Sequence, residues 1–109
     1  MSVSFKKRDF FTTTVTIPVP NEKGGFDDNT FVGKFKHTTH EEAKALRERP
    51  DVEVVRDRLV DWKMEDEDTK QDVPFSAESL DAVLSLAPAP YHVCLAFYRA
   101  ISGNKSKNL

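Results

Sequence analysis

The chain has only one cysteine among its 109 residues, so it cannot close an internal disulfide bridge. This composition favours a reducing cytosol. No apolar run approaches the roughly 20 residues that a membrane-spanning helix requires. The charged cluster near the N-terminus has no apolar stretch behind it, so we do not expect a signal peptide. We expect a cytoplasmic protein that makes no contact with a membrane.

An excess of charge of either sign is also missing. The formal net charge is −2, although 31% of the residues are charged. Such a surface is well solvated but creates no strong field, so nothing indicates nucleic acid as a partner. The short basic run Lys6-Lys7-Arg8 is interpreted as solvated surface. A chain of this length buries about 65% of its unfolded surface, which is enough for a single core.

The sequence lacks the common motifs of catalysis. It has no nucleophile elbow, no Walker loop and no dinucleotide-binding fingerprint. Cys94 lies in the apolar stripe of a predicted helix and is interpreted as a small buried hydrophobe. His92, two residues away, points to another side of that helix. We therefore predict that the protein is not an enzyme and binds no cofactor.

The patterns of metal ligands are equally weak. His37 and His40 stand near Glu41, but zinc sites need about four ligands and the cysteine lies far along the chain. The acidic run Glu65-Asp66-Glu67-Asp68 is contiguous and lacks the alternating spacing of a calcium loop. We interpret this run as a solvated, mobile turn, and we predict no metal site.

The first structural element that the sequence indicates is a β-hairpin. Residues 10–19 are rich in stiff β-branched side chains, which favour a strand. Alternation along this strand places four side chains on one face: Phe11, Thr13, Val15 and Ile17. Pro18 and Pro20 stop the pairing or confine it to an edge. Residues 29–37 form the second strand, and the short connection makes the pair antiparallel.

Two helices are predicted next. The first begins with the capping box of Thr39 and Glu42, ends before Pro50, and is short and peripheral. The second is predicted from Asp51 to Trp62, because apolar residues recur there at steps of three and four. These residues are Val52, Val55, Leu59 and Trp62.

Two further helices complete the domain. The third runs over residues 77–86 from the N-cap Ser76. Its buried face carries Leu80, Val83, Leu84 and Ala87. The fourth runs over residues 91–102 and ends at the C-cap Gly103. Its apolar face carries Cys94, Leu95, Tyr98 and Ile101.

These elements predict an α+β fold in which an N-terminal antiparallel β-hairpin packs on a small bundle of about four helices. We expect one domain over residues 10–103, with the hairpin in residues 10–37 and the helical part in residues 39–103. Residues 1–9 are expected to form a flexible arm, and residues 104–109 a flexible tail.

The order of several short motifs suggests a family. Leu59-Val60-Asp61-Trp62 is followed by Asp66-Glu67-Asp68, then by Val73-Pro74-Phe75-Ser76 and Leu80. This succession resembles the tail assembly chaperones of long-tailed bacteriophages and prophages, over roughly the whole chain. Relatives often carry glycine where this chain has Asp61, and again at the end of the acidic turn.

The resemblance implies a non-enzymatic chaperone that binds the tape measure protein and keeps it soluble while the tail tube assembles. It also implies a homo-oligomer in the host cytoplasm that is absent from the mature virion. A frameshifted extension would recruit the tail tube protein. The alternative is a structural tail protein, a terminator or an adaptor, that is retained in the virion.

A binding protein needs apolar surface that its own core does not use. Aromatic side chains dominate interface hot spots because they bury a large area at low entropic cost. The last predicted helix is rich in them. The partner-binding residues predicted from the sequence are Tyr91, Phe97 and Tyr98.

Overall fold

The computed structural model describes residues 8–103, which begin with two long strands. Strand β1, Phe10–Pro20, pairs antiparallel with β2, Phe26–Lys36. The turn between them is closed by Asn21, whose side-chain oxygen accepts hydrogen bonds from the backbone N–H groups of Lys23 and Gly25, each at 3.0 Å. The predicted hairpin is present, and its second strand begins three residues earlier than predicted.

The predicted arm and tail lie mostly outside the described residues. Residues 1–7 and 104–109 are not described. Asp9, assigned to the arm from the sequence, accepts a hydrogen bond of 2.8 Å on its backbone carbonyl from the N–H of His37. Asp9 therefore continues the pairing of β1 with β2 by one residue.

A third strand corrects the predicted central helix. Helix α2, Asp51–Arg58, stops four residues short of Trp62, and the chain continues as β3, Leu59–Lys63. Strand β3 pairs antiparallel with β2, so the sheet has the order β1-β2-β3. Val52, assigned to the buried face of the helix, is exposed, whereas Val54 is buried.

A β-bulge explains why this strand has the spacing of a helix. Leu59 lies opposite Phe35 and Asp61 lies opposite Lys34, so Val60 is an extra residue on β3. The extra residue allows Leu59 and Trp62, three positions apart, both to face the core. An apolar step of three is also typical of a helical face.

The remaining helices are close to their predicted positions. Helix α1, His40–Leu46, has the predicted capping box of Thr39 and Glu42. Helix α3, Ala77–Leu84, is capped by Ser76, and α4 is Ala89–Ile101. Ala87 was assigned to the buried face of the third helix. It is exposed in the connection between α3 and α4.

The core lies between the inner face of the sheet and helices α2 and α4. The rings of Phe11, Phe35 and Phe97 pack together, with centroids 5.3 to 6.1 Å apart. Gly33 lies on the same inner face, where an added Cβ would stand 2.9 Å from a carbon of the Phe35 ring. The close packing of Phe35 therefore requires glycine at position 33.

The fold class predicted from the sequence is confirmed as α+β, with three strands where the hairpin predicts two. Among residues 8–103, no single helix is long and apolar enough to cross a membrane. Taken as a pair, helices α3 and α4 have the length and apolar composition of a membrane-spanning segment, and they are bent by 104° relative to each other.

We predict that Trp62→Ala lowers the free energy of unfolding by about 3–5 kcal/mol. Trp62 is 8% exposed, and its ring contacts Phe31 and Phe75 with centroids 5.5 and 4.9 Å away. Its indole N–H also donates a hydrogen bond of 2.8 Å to the carbonyl of Val73. Urea denaturation followed by circular dichroism measures the loss.

Trp62→Phe is the matched control, because it keeps an aromatic ring and removes the hydrogen bond. We expect it to cost less than the alanine variant. An unchanged urea midpoint in Trp62→Ala would contradict the assignment of Trp62 to the core.

Candidate partner-binding groove

An open groove with an apolar floor lies where one end of the hairpin meets the acidic turn and the end of α3. It encloses about 390 Å³. The apolar lining residues are Ile17, Phe31, Met64, Val83 and Leu86. The polar lining residues are Asp28, Asn29, Thr30, Glu65, Asp66, Glu67 and Lys70. We call this surface the acidic groove.

A second, shallower depression continues the acidic groove towards the turn between β1 and β2. It shares Asp28, Asn29 and Glu67 with the acidic groove. It adds Val19, Phe26, Asp27 and Asp68. Phe26 is 65% exposed, the highest value among the exposed large apolar side chains of residues 8–103. The two depressions are continuous, and carboxylates line both the apolar floor of the acidic groove and the more polar second depression.

Hydrogen bonds hold the acidic turn in place beside the groove. The carbonyl of Met64 accepts from the N–H of Val73, and the N–H of Asp66 donates to the carbonyl of Gln71, each at 2.8 Å. Lys70 closes the turn with a φ of +59°. The turn that the sequence suggests to be a mobile connector is therefore a hydrogen-bonded loop. An isolated antiparallel bridge between Glu65 and Asp72 joins its two sides.

Asp66 fixes the shape of this loop with its side chain. Its carboxylate accepts hydrogen bonds from the backbone N–H groups of Asp68, at 2.9 Å, and Thr69, at 3.0 Å. These two N–H groups, that of Thr69 above all, lower the pKa of the Asp66 carboxyl. Asp66 therefore contributes negative charge to the rim at neutral pH.

The two depressions together concentrate negative charge. Their linings contain six carboxylates and one lysine, a formal charge of −5 against −2 for the whole chain. Within residues 8–103, the ion pairs lie elsewhere, for example between Arg49 and Asp57 and between Arg56 and Asp81. None of these pairs involves a carboxylate of the groove. The field of the rim is thus available to a basic ligand.

The aromatic residues predicted from the sequence lie outside the acidic groove and do not form one site. Tyr91 is 58% exposed at the start of α4. Tyr98 is half-buried and stacks against the guanidinium of Arg47, 4.8 Å from the ring centroid. Phe97 is 1% exposed. The structure places Phe97 in the core, where it cannot contact a partner while the domain stays folded.

Sequence reasoning missed the acidic groove because separate elements supply its lining. Strands β1 and β2 contribute Ile17 and Phe31, and the loop after β3 contributes Met64. Val83 lies in the last turn of α3, and Leu86 lies two residues after that helix ends. The signal in the sequence was the acidic run beside Met64. Without the fold, a solvated turn was the simpler interpretation of that run.

Cys94, interpreted from the sequence as a small buried hydrophobe, is buried within the core. Its thiol donates to the backbone carbonyl of Asp51, with 3.5 Å between sulfur and oxygen. Burial, and after it the negative charge of Asp51, raises the pKa of the Cys94 thiol to about 12. Within residues 8–103, no three side chains of histidine, cysteine, aspartate or glutamate are grouped closely enough to hold a metal ion.

We predict that Cys94 reacts slowly with disulfide reagents in the native protein and rapidly in urea, because the reactive thiolate is scarce and buried. The unfolded thiol titrates near pH 9 and the folded one near pH 12. Between these values the unfolded chain has lost a proton that the folded chain keeps. The free energy of unfolding therefore decreases as pH rises through this window, and the contribution is complete below it.

Cys94→Ala is the control for this dependence, since it removes the thiol while other groups still titrate. The variant should show a shallower loss of stability between pH 9 and 12 than the native sequence. Fast modification of native Cys94 at neutral pH would contradict its burial.

Comparison with known proteins gives no relative from which a function could be transferred. No protein-family model, no curated protein and no solved structure matches this chain.

Proposed function

We propose that this protein is a non-enzymatic phage tail assembly chaperone whose acidic groove binds a helical segment of the tape measure protein. It keeps that protein soluble in the host cytoplasm while the tail tube assembles, and it is absent from the mature virion. The observation that carries the proposal is the apolar floor inside an acidic rim. The order of motifs that resembles the chaperone family supports the same function.

The apolar floor favours a helix as the ligand. An amphipathic helix docks by inserting side chains from one face, at steps of three and four residues, into a hydrophobic groove. Leu86, which is 38% exposed, is accessible to such side chains, and the flexible thioether chain of Met64 can adapt to them. A tape measure protein, as the resemblance describes it, is long and largely helical. Before the tail tube encloses it, its apolar helical faces are exposed to water and would aggregate unless a chaperone binds them.

The acidic rim adds selectivity for the partner. Carboxylates around an apolar patch attract helices whose apolar stripe is flanked by lysine or arginine, and they repel acidic ones. Charges at a rim mainly affect the association rate and its dependence on salt. Binding of this kind is readily reversed, as a chaperone requires when the tail tube replaces it. Recruitment of the tail tube protein belongs to the frameshifted extension in this proposal.

We predict that Leu86→Asp reduces the soluble yield of a coexpressed tape measure protein several-fold. The substitution puts a charge into the apolar floor, where binding would have to desolvate it. Leu86 follows α3 and is partly exposed, so the domain should keep its melting temperature. The readout is the fraction of tape measure protein in the supernatant, with the melting temperature of each variant measured in parallel.

Tyr91→Ser is the matched control, because it removes an exposed apolar side chain outside the acidic groove. It should leave the soluble yield unchanged. The opposite result, loss with Tyr91→Ser and none with Leu86→Asp, would move the binding site to α4. Mass spectrometry of purified virions tests the assembly role, and stoichiometric copies of the chain there would contradict it.

A further inference from the structure

Strand β1 forms an open edge of the sheet. Among residues 8–103, the strand order β1-β2-β3 gives β1 a single neighbouring strand, β2. The strand is 11 residues long and carries no charged side chain. A long, uncharged edge strand is a template for pairing with another strand, and proteins usually protect such edges.

The register shows which residues direct their backbone groups towards this open edge. In an antiparallel pair, alternate residues bond to the neighbour and the residues between them point away. Asp9 pairs with His37, and Asn21 pairs with Gly25, so odd-numbered residues of β1 bond to β2. The outward set is the even-numbered one: Phe10, Thr12, Thr14, Thr16, Pro18 and Pro20.

Two prolines limit the open edge at one end. Pro18 and Pro20 belong to the outward set and have no N–H to offer. Their outward direction agrees with the assignment of the even-numbered residues to the open edge, since a proline facing β2 would remove a hydrogen bond between β1 and β2. The usable edge therefore runs from Phe10 to Thr16.

The opposite edge of the sheet is protected in the ways that proteins commonly use. Strand β3 has five residues, carries Asp61 and Lys63, and contains the bulge at Val60. The contrast between the two edges lies within one sheet of one chain. It indicates that the β1 edge is left open for a partner strand.

A groove of about 460 Å³ runs beside the open edge, between β1 and α4. Its helical side presents Leu95, Ala96 and Ala100, which are all half-buried, together with His92 and Arg99. The two alanines, four residues apart, lie on one face of α4 and leave space for another element to approach. The open edge and this helical face thus belong to one continuous surface.

We propose that a second copy of this chain pairs its β1 with the β1 edge, antiparallel, to give a continuous six-stranded sheet. Phe10 faces Thr16 of the other copy, and Thr12 faces Thr14, so that the four outward residues of the usable edge find a partner on each strand. Each facing pair exchanges two backbone hydrogen bonds. Pro18 and Pro20 fix this register. If the partner strand were shifted to lie opposite them, its carbonyl groups would find no N–H donors there.

A second copy suits the open edge because the backbone donors and acceptors of an antiparallel edge strand are complementary to those of an identical strand. A two-fold axis perpendicular to the sheet keeps the inner faces of both sheets on the same side. It therefore brings the alanine face of one α4 towards that of the other. No charge lies on the paired strands. The acidic grooves lie beyond Ile17 of each copy, at opposite ends of the paired strands, so their charges stay apart.

Thr14→Pro tests the pairing. The substitution removes an N–H that points to the open edge, so it should convert a dimer into a monomer in sedimentation equilibrium and leave the melting temperature of the monomer unchanged. Thr14→Val is the matched control, since it keeps the N–H and a β-branched side chain. It should remain dimeric. Should Thr14→Pro fail to fold, Thr12→Lys/Thr14→Lys replaces it, because it places like charges on facing residues.

Hydrogen exchange gives an independent readout on the native sequence. In the dimer, the amides of Thr12 and Thr14 should exchange at least tenfold more slowly than in the dilute monomer, with little change in β3. A chain that is monomeric at high micromolar concentration would overturn the proposal. So would a dimer that persists in both edge variants, or one in which these two amides stay unprotected.

Discussion

The attachment of Trp62 to the segment that follows β3 is the constraint on which the rest of the structure depends. Its indole N–H bonds to Val73, and its ring packs between Phe31 of the sheet and Phe75 before α3. The Trp62 side chain thus joins the sheet to the segment that leads into α3 and, after it, α4. The loop between Trp62 and Val73 is closed by the same contact, and this loop carries the acidic rim of the groove.

Local chemistry made much of the fold predictable. The β-branched run of β1, the capping box at Thr39 and the N-cap Ser76 each act over a few residues, and the structure has all three. Strand β3 was not predictable in the same way, because Val60 bulges and gives Leu59 and Trp62 a helical spacing. A strand of five residues is stabilised by its neighbour β2, and pairing across the chain leaves no local pattern.

The candidate site was less predictable than the fold for a related reason. The sequence does not distinguish an aromatic residue that packs in the core from one that binds a partner. Phe97 packs in the core. Phe26, in contrast, is exposed at the start of β2, directly after the turn of the hairpin. Full burial of a phenylalanine side chain is worth roughly 1.5–3 kcal/mol, and Phe26, which is 65% exposed, forgoes the larger part of it. Such a loss is a sizeable part of a small domain's stability, which is why exposed apolar side chains point to binding.

Pairing through β1 would change what the acidic groove can do. With Thr13 at the two-fold axis, the Ile17 residues of the two copies are eight positions apart along the paired strands, or about 27 Å. A helix rises about 1.5 Å per residue, so one continuous helical partner would span both grooves with two apolar patches roughly 18 residues apart. Two weak contacts on one partner bind far more tightly than either contact alone when the geometry allows both. Each contact can still open separately, so a long helical chain can be held firmly and released stepwise.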